Sequence, residues 1–65
     1  MINNTYTISW RFTNGAVYAE TFPSMAQAGE MLEKYGILTN DLIENVYLVD
    51  NKYGIRFQIV EVEYL

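Results

Sequence analysis

FPSMAQAGEMLEKYG, residues 22–36, is the stretch whose reading decides the fold. Ser24 suits a helix N-cap and Gln27 lies three positions on, a spacing at which the two side chains satisfy backbone donors reciprocally in a capping box. Met25, Ala28, Leu32 and Tyr35 recur at helical spacing and Met31 widens the stripe, while Gln27, Glu30, Glu33 and Lys34 take the other side. Gly36 supplies the left-handed residue that ends a helix, and Ile37 then folds back on the last turn. An amphipathic helix over 24–35 with one buried face follows. Gly29 in its interior costs about 1 kcal/mol relative to alanine, which implies a place where the backbone comes close to a sheet.

On the N-terminal side of this helix, Met1–Asn4 form a polar lead-in, and TYTISWRFT over Thr5–Thr13 alternates. Tyr6, Ile8, Trp10 and Phe12 fall on one face of a strand, with Thr7, Ser9 and Arg11 on the other. Asn14-Gly15 tolerates the positive φ values of a two-residue type I′ turn. That turn sets Phe12 opposite Val17, Trp10 opposite Ala19 and Ile8 opposite Thr21, an apolar face coherent on both strands.

On the C-terminal side, ILTNDLIEN over residues 37–45 reads as an irregular link in which Asp41 and Glu44 can cap one helical turn above Leu42 and Ile43. Asn45–Val49 and Ile55 to about Tyr64 read as the third and fourth strands, joined by the turn residues DNKYG. A turn centred on Asn51 and Lys52 places Leu48 opposite Ile55 and Val46 opposite Phe57. In the last strand the apolar phase switches from Ile55, Phe57 and Ile59 to Val60, Val62 and Tyr64. Either a bulge between Ile59 and Val60 reverses the face, or both faces are covered there, the second by another molecule.

The expected fold class is therefore α+β: one domain over 1–65 in the order β-β-α-β-β, an antiparallel sheet with the helix on one face. Trp10, Ile8, Phe12, Val17, Leu32, Leu48 and Phe57 are its expected core. A chain of 65 residues buries only about 60% of its unfolded surface. No cysteine is available to staple it, and 51% of its residues are hydrophobic, more than so small a body can bury. Both features favour a homodimer or a partner-binding face.

Charge narrows the function classes. A net charge of −4 with four scattered basic residues argues against nucleic acid, whose phosphates demand clustered lysine and arginine. No apolar run of the roughly 18 residues that span a membrane is present, and no basic-then-apolar leader opens the sequence, so a cytoplasmic protein with no membrane partner is expected. Histidine and cysteine are absent, which removes the usual nucleophile–base pairs, and Ser24 is accounted for as a cap. Glu61 and Glu63 share one side of a strand but read as solvated or edge-protecting acids, and no cofactor or metal motif is present. A non-enzymatic protein is expected.

The candidate site lies on the sheet face that one helix leaves uncovered. Arg11 across from Tyr18 and Tyr47 across from Arg56, joined by Phe22, Val60, Val62 and Tyr64, would form an aromatic and apolar surface carrying two guanidinium groups. Tyrosine and arginine are enriched at the energetic centres of protein interfaces. The bland alternative is a set of cross-strand pairs on a solvated sheet, each contributing roughly 0.2–1 kcal/mol. Two further readings use the same residues or none: a nucleic-acid-associated regulator stacking bases on the tyrosines, and a purely structural oligomer subunit. In its size, acidity, lack of cysteine and ββαββ outline the whole chain resembles small phage and mobile-element accessory proteins, including host-takeover factors and inhibitors of bacterial defence systems. That resemblance rests on no motif and assigns no residue; it implies an accessory or inhibitory role exercised by binding another protein.

Overall fold

The computed structural model describes residues 4–60. Strands β1 (Tyr6–Phe12) and β2 (Val17–Phe22) lead into helix α1 (Met25–Lys34) and a 3₁₀ turn (Ile37–Thr39), and strands β3 (Ile43–Asp50) and β4 (Ile55–Gln58) follow. The four strands make one antiparallel sheet in the order β2-β1-β3-β4, so the two hairpins join through their inner strands. This is the α+β, ββαββ architecture expected from the sequence. Among the described residues no helix is long and apolar enough to cross a membrane.

The helix ends as its sequence dictates. Ser24 has extended backbone and its hydroxyl accepts the Gln27 N–H at 3.2 Å, while Gly36 adopts the left-handed conformation and donates to the Glu33 carbonyl at 3.1 Å. Ala28, Met31, Leu32 and, past the turn, Ile37 are buried, each large side chain contributing roughly 1.5–3 kcal/mol by leaving water. The close sheet approach expected at Gly29 is not found. A Cβ built there meets nothing within 4 Å, so no sheet approaches it.

The first hairpin departs from expectation by one residue, and that residue changes the site. Gly15 N–H donates to the Phe12 carbonyl at 2.9 Å and Phe12 N–H to the Ala16 carbonyl at 2.8 Å, a turn followed by left-handed Gly15. This is the three-residue loop with a glycine bulge rather than the two-residue type I′ turn. Asn14 decides between them: its carboxamide oxygen accepts the Ala16 N–H at 2.9 Å, and its φ is not positive, whereas type I′ needs positive φ at both central residues. Trp10 consequently pairs with Tyr18, Ile8 with Glu20 and Arg11 with Val17. All of β2 is turned over, with Tyr18, Glu20 and Phe22 on the helix side and Val17, Ala19 and Thr21 on the outer side.

The second hairpin slips by two, which preserves the faces: Leu48 pairs with Phe57 and Asp50 with Ile55. Its four-residue loop closes with Gly54 N–H on the Asp50 carbonyl at 2.7 Å. Strand β3 starts at Ile43, two residues before the expected Asn45, and a bulge opposite Arg11 and Phe12 absorbs Glu44, which keeps Ile43 on the helix side. Strand β4 ends at Gln58, and Ile59 still donates to the Val46 carbonyl at 2.9 Å before the chain bends at Val60. The expected continuation through Val62 and Tyr64, and the face reversal that goes with it, lie outside the described residues.

The core is Ile8, Ala28, Met31, Leu32, Ile37, Val46 and Leu48. Of the expected members, Val17 is on the opposite face and 63% exposed, Phe57 is 51% exposed, and Trp10 and Phe12 are only half-buried. Helix length explains the shortfall. Ten residues of α-helix cover about 15 Å, seven residues of strand about 24 Å, and α1 packs on β1 and β2 while the 3₁₀ turn packs on β3. Strand β4 and the Trp10–Phe12 end of β1 are left partly open on the helix side.

Candidate functional site

Two surfaces result from this coverage. The outer face retains Arg11, Tyr47 and Arg56 of the expected site. Tyr47 stands directly opposite Gln58, and Arg56, one diagonal away, lays its guanidinium 4.5 Å from the Tyr47 ring centroid. Arg11 faces Val17 and Asn45, and its Nε lies 4.0 Å from the Glu44 carboxylate, both side chains more than half exposed. At the other end of this face the Asn51 carboxamide donates to the hydroxyls of Thr5 and Thr7 at 3.0 and 2.9 Å, and the Thr7 and Thr21 hydroxyls are 2.9 Å apart. These polar groups satisfy one another and tie the second turn to β1 and β2.

Tyr18 is not part of that surface. Its ring stacks with Trp10 at 6.2 Å between centroids and meets Phe12 edge-on at 5.5 Å, on the helix side of the sheet. Val60, 77% exposed, borders a separate cleft of about 200 Å³ with Leu38, Gln58 and Ile59. Val62 and Tyr64 lie outside the described residues. The expected constellation thus divides: Arg11, Tyr47 and Arg56 share the outer face, Tyr18 and Phe22 are across the sheet from them, and Val60 stands apart beyond the end of β4.

The helix side carries an open groove of about 370 Å³, lined by Trp10 and Phe12 from β1, Met31 and Tyr35 from the end of α1, Ile37, and Ile43 from β3. Asn40 and Glu20 are the polar residues of its lining, and Glu20 is the one carboxylate. Tyr18 continues the aromatic wall through its contacts with Trp10 and Phe12. Tyr35 is 65% exposed because α1 stops at Lys34, so the ring caps the helix end rather than entering the core. Reading the sequence for function missed this groove, since it assigned Trp10 and Phe12 to the core and Tyr18 to the outer face. The signal that finds it is Asn14-Gly15 taken as a three-residue hairpin loop, the next commonest form after the two-residue one.

Among the described residues, no buried polar side-chain atom lacks a hydrogen-bond partner and no three potential metal ligands cluster. The described residues present two surfaces: a flat outer face with a stacked arginine, and an aromatic groove beside β2, an edge of the described sheet. Comparison with protein-family models, with characterised proteins and with solved structures found no match to this chain.

Proposed function

We propose that this chain is a non-enzymatic protein-binding module of an accessory or inhibitory kind, and that the helix-side aromatic groove is its principal contact surface. The observation that carries the reading is the open aromatic cluster of Trp10, Phe12 and Tyr18 with Tyr35 in the groove lining. Rigid aromatic side chains with a solvent-exposed face bury large area on association at little entropic cost, which makes them the usual anchors of interfaces. Strand β2 runs along the same side and is an edge of the described sheet, so its outer backbone groups are placed to pair with an added strand. The absence of histidine and cysteine from the sequence supports a non-enzymatic role, and a cysteine-free chain fits the cytoplasm, where thiols stay reduced.

A second reading places the contact on the outer face, favoured by the Arg56–Tyr47 stack. Affinity capture from the source cell with the wild type, Tyr18→Asp and Tyr47→Asp separates the two. Loss of the partner with Tyr18→Asp and retention with Tyr47→Asp supports the groove; the opposite pattern moves the site to the outer face. A partner retained by both variants sinks the proposal. Light scattering on the wild type tells whether the homodimer expected from composition forms.

A further inference from the structure

We infer that the groove takes a cationic side chain, arginine or lysine, from an extended basic segment of another protein seated along β2. The inference rests on the groove being the contact surface and adds the chemistry of its occupant. It starts from where the chain places its own cations. Of the four basic residues, Lys34 lies 5.5 Å over the Tyr35 ring, Lys52 5.2 Å over Tyr53 and Arg56 4.5 Å over Tyr47, while Arg11 faces Glu44. Every cation of the chain thus has an aromatic or acidic neighbour. Among the described residues, the ring cluster of Trp10, Phe12 and Tyr18 has no lysine or arginine over it, although aromatic faces carry the negative potential that attracts cations, the indole most strongly.

Glu20 supplies the complementary charge. It sits two residues from Tyr18 on the same face of β2, directly opposite Ile8 and diagonal to Trp10, and it lines the groove with no basic residue among the lining side chains. A guanidinium or ammonium over the Trp10–Tyr18 pair would have an aromatic face beneath it and a carboxylate beside it, while the apolar stem packs toward Met31 and Ile37. The net charge of −4 draws a basic partner in over longer range. A second copy of this chain is a poor occupant: its basic residues are scattered and its net charge repels.

Position relative to the sheet selects an extended segment. Tyr18 and Glu20 stand on an edge strand, so a strand added to β2 projects alternate side chains onto the helix side next to both. One arginine with small or β-branched neighbours satisfies the geometry.

Trp10 is the single tryptophan of the sequence, so its fluorescence reports directly on the groove. The test titrates the full chain with a capped alternating pentapeptide bearing one central arginine, and with the same peptide bearing the uncharged isostere citrulline. The expected result is a saturable change in Trp10 emission, with binding weaker by about tenfold for the citrulline peptide and for the arginine peptide on Glu20→Gln. Amide shift mapping should place the largest perturbations on Tyr18, Glu20 and the Trp10 indole N–H. Equal binding of both peptides, or indifference to Glu20→Gln, overturns the cationic occupant while leaving the groove as a contact surface. No saturable response from either peptide, with the native Trp10 spectrum intact, overturns the inference; that failure extends to the groove itself only if Tyr18→Asp also leaves partner capture unchanged.

Discussion

Gly36 and Gly29, seven positions apart, have opposite dependence on their missing side chain. Gly36 holds φ at +59°, and a Cβ there would lie 3.3 Å from the Thr39 hydroxyl oxygen. Gly36→Ala should therefore destabilise by about 1–2 kcal/mol, seen as a lower urea midpoint at unchanged slope. Gly29 sits in helical conformation in open space, and Gly29→Ala should stabilise by about 0.5–1 kcal/mol in the same assay. A drop on Gly29→Ala would mean that the helix packs closer than its position here allows. Val17 makes a third single-residue test, because it is 63% exposed on the outer face. Val17→Ala should change stability by no more than about 0.5 kcal/mol, whereas a core valine would lose considerably more.

Among the elements, the first hairpin has the most consequence for function. Its pairing puts the Trp10 and Tyr18 rings in contact at 6.2 Å, and a two-residue turn would instead put Trp10 against Ala19. Ring-to-ring nuclear Overhauser contacts between Trp10 and Tyr18 are expected; contacts from Trp10 to the Ala19 methyl would refute the register. Periodicity could not choose between the registers, since both phases of VYAETF carry apolar residues: Tyr18 and Phe22 in one, Val17 and Ala19 in the other. The turn chooses, through the Asn14 carboxamide holding the Ala16 N–H. The helix was legible for the converse reason. Its cap, stripe and stop are each set by residues no more than four positions apart, and Ser24→Ala should destabilise by about 1 kcal/mol by leaving the Gln27 N–H without its acceptor. Strand β3 began early because the Asn40 side chain accepts the Leu42 N–H and its carbonyl accepts the Ile43 N–H, a turn that replaces the expected helical one.

For the molecule as a whole, the described residues form a thin slab, 37 × 29 × 15 Å, in which seven apolar side chains are buried. Domains carry about 0.05–0.15 kcal/mol of stability per residue, or roughly 3–10 kcal/mol for a chain of this length. Ile8 lies at the centre of the slab at 1% exposure, and Ile8→Ala removes about 2–5 kcal/mol. A chain at the low end of the stability range would be brought near half-unfolded at room temperature by circular dichroism, and one at the high end would show a lower urea midpoint at unchanged slope. A midpoint that rises with protein concentration would be the signature of association. With one helix on one side, most side chains of the described sheet are near a surface, and the groove is what the helix fails to cover.

The sequence by itself determined the helix and its ends, the four strands in order, the antiparallel pairing within each hairpin and the α+β class, because capping, turn chemistry and alternation are local and leave their marks within a few residues. The outer-face trio of Arg11, Tyr47 and Arg56 was legible on the same ground. The tertiary structure alone decided that the hairpins join through β1 and β3, that β2 shows Tyr18 and Glu20 to the helix side, and that Trp10 and Phe12 stay half-open. Those outcomes depend on one turn's backbone conformation and on the length of a helix set against the width of a sheet. Neither the turn's choice nor the width of sheet beneath the helix is carried by the spacing of residues along the chain, and together they open the groove beside the helix end.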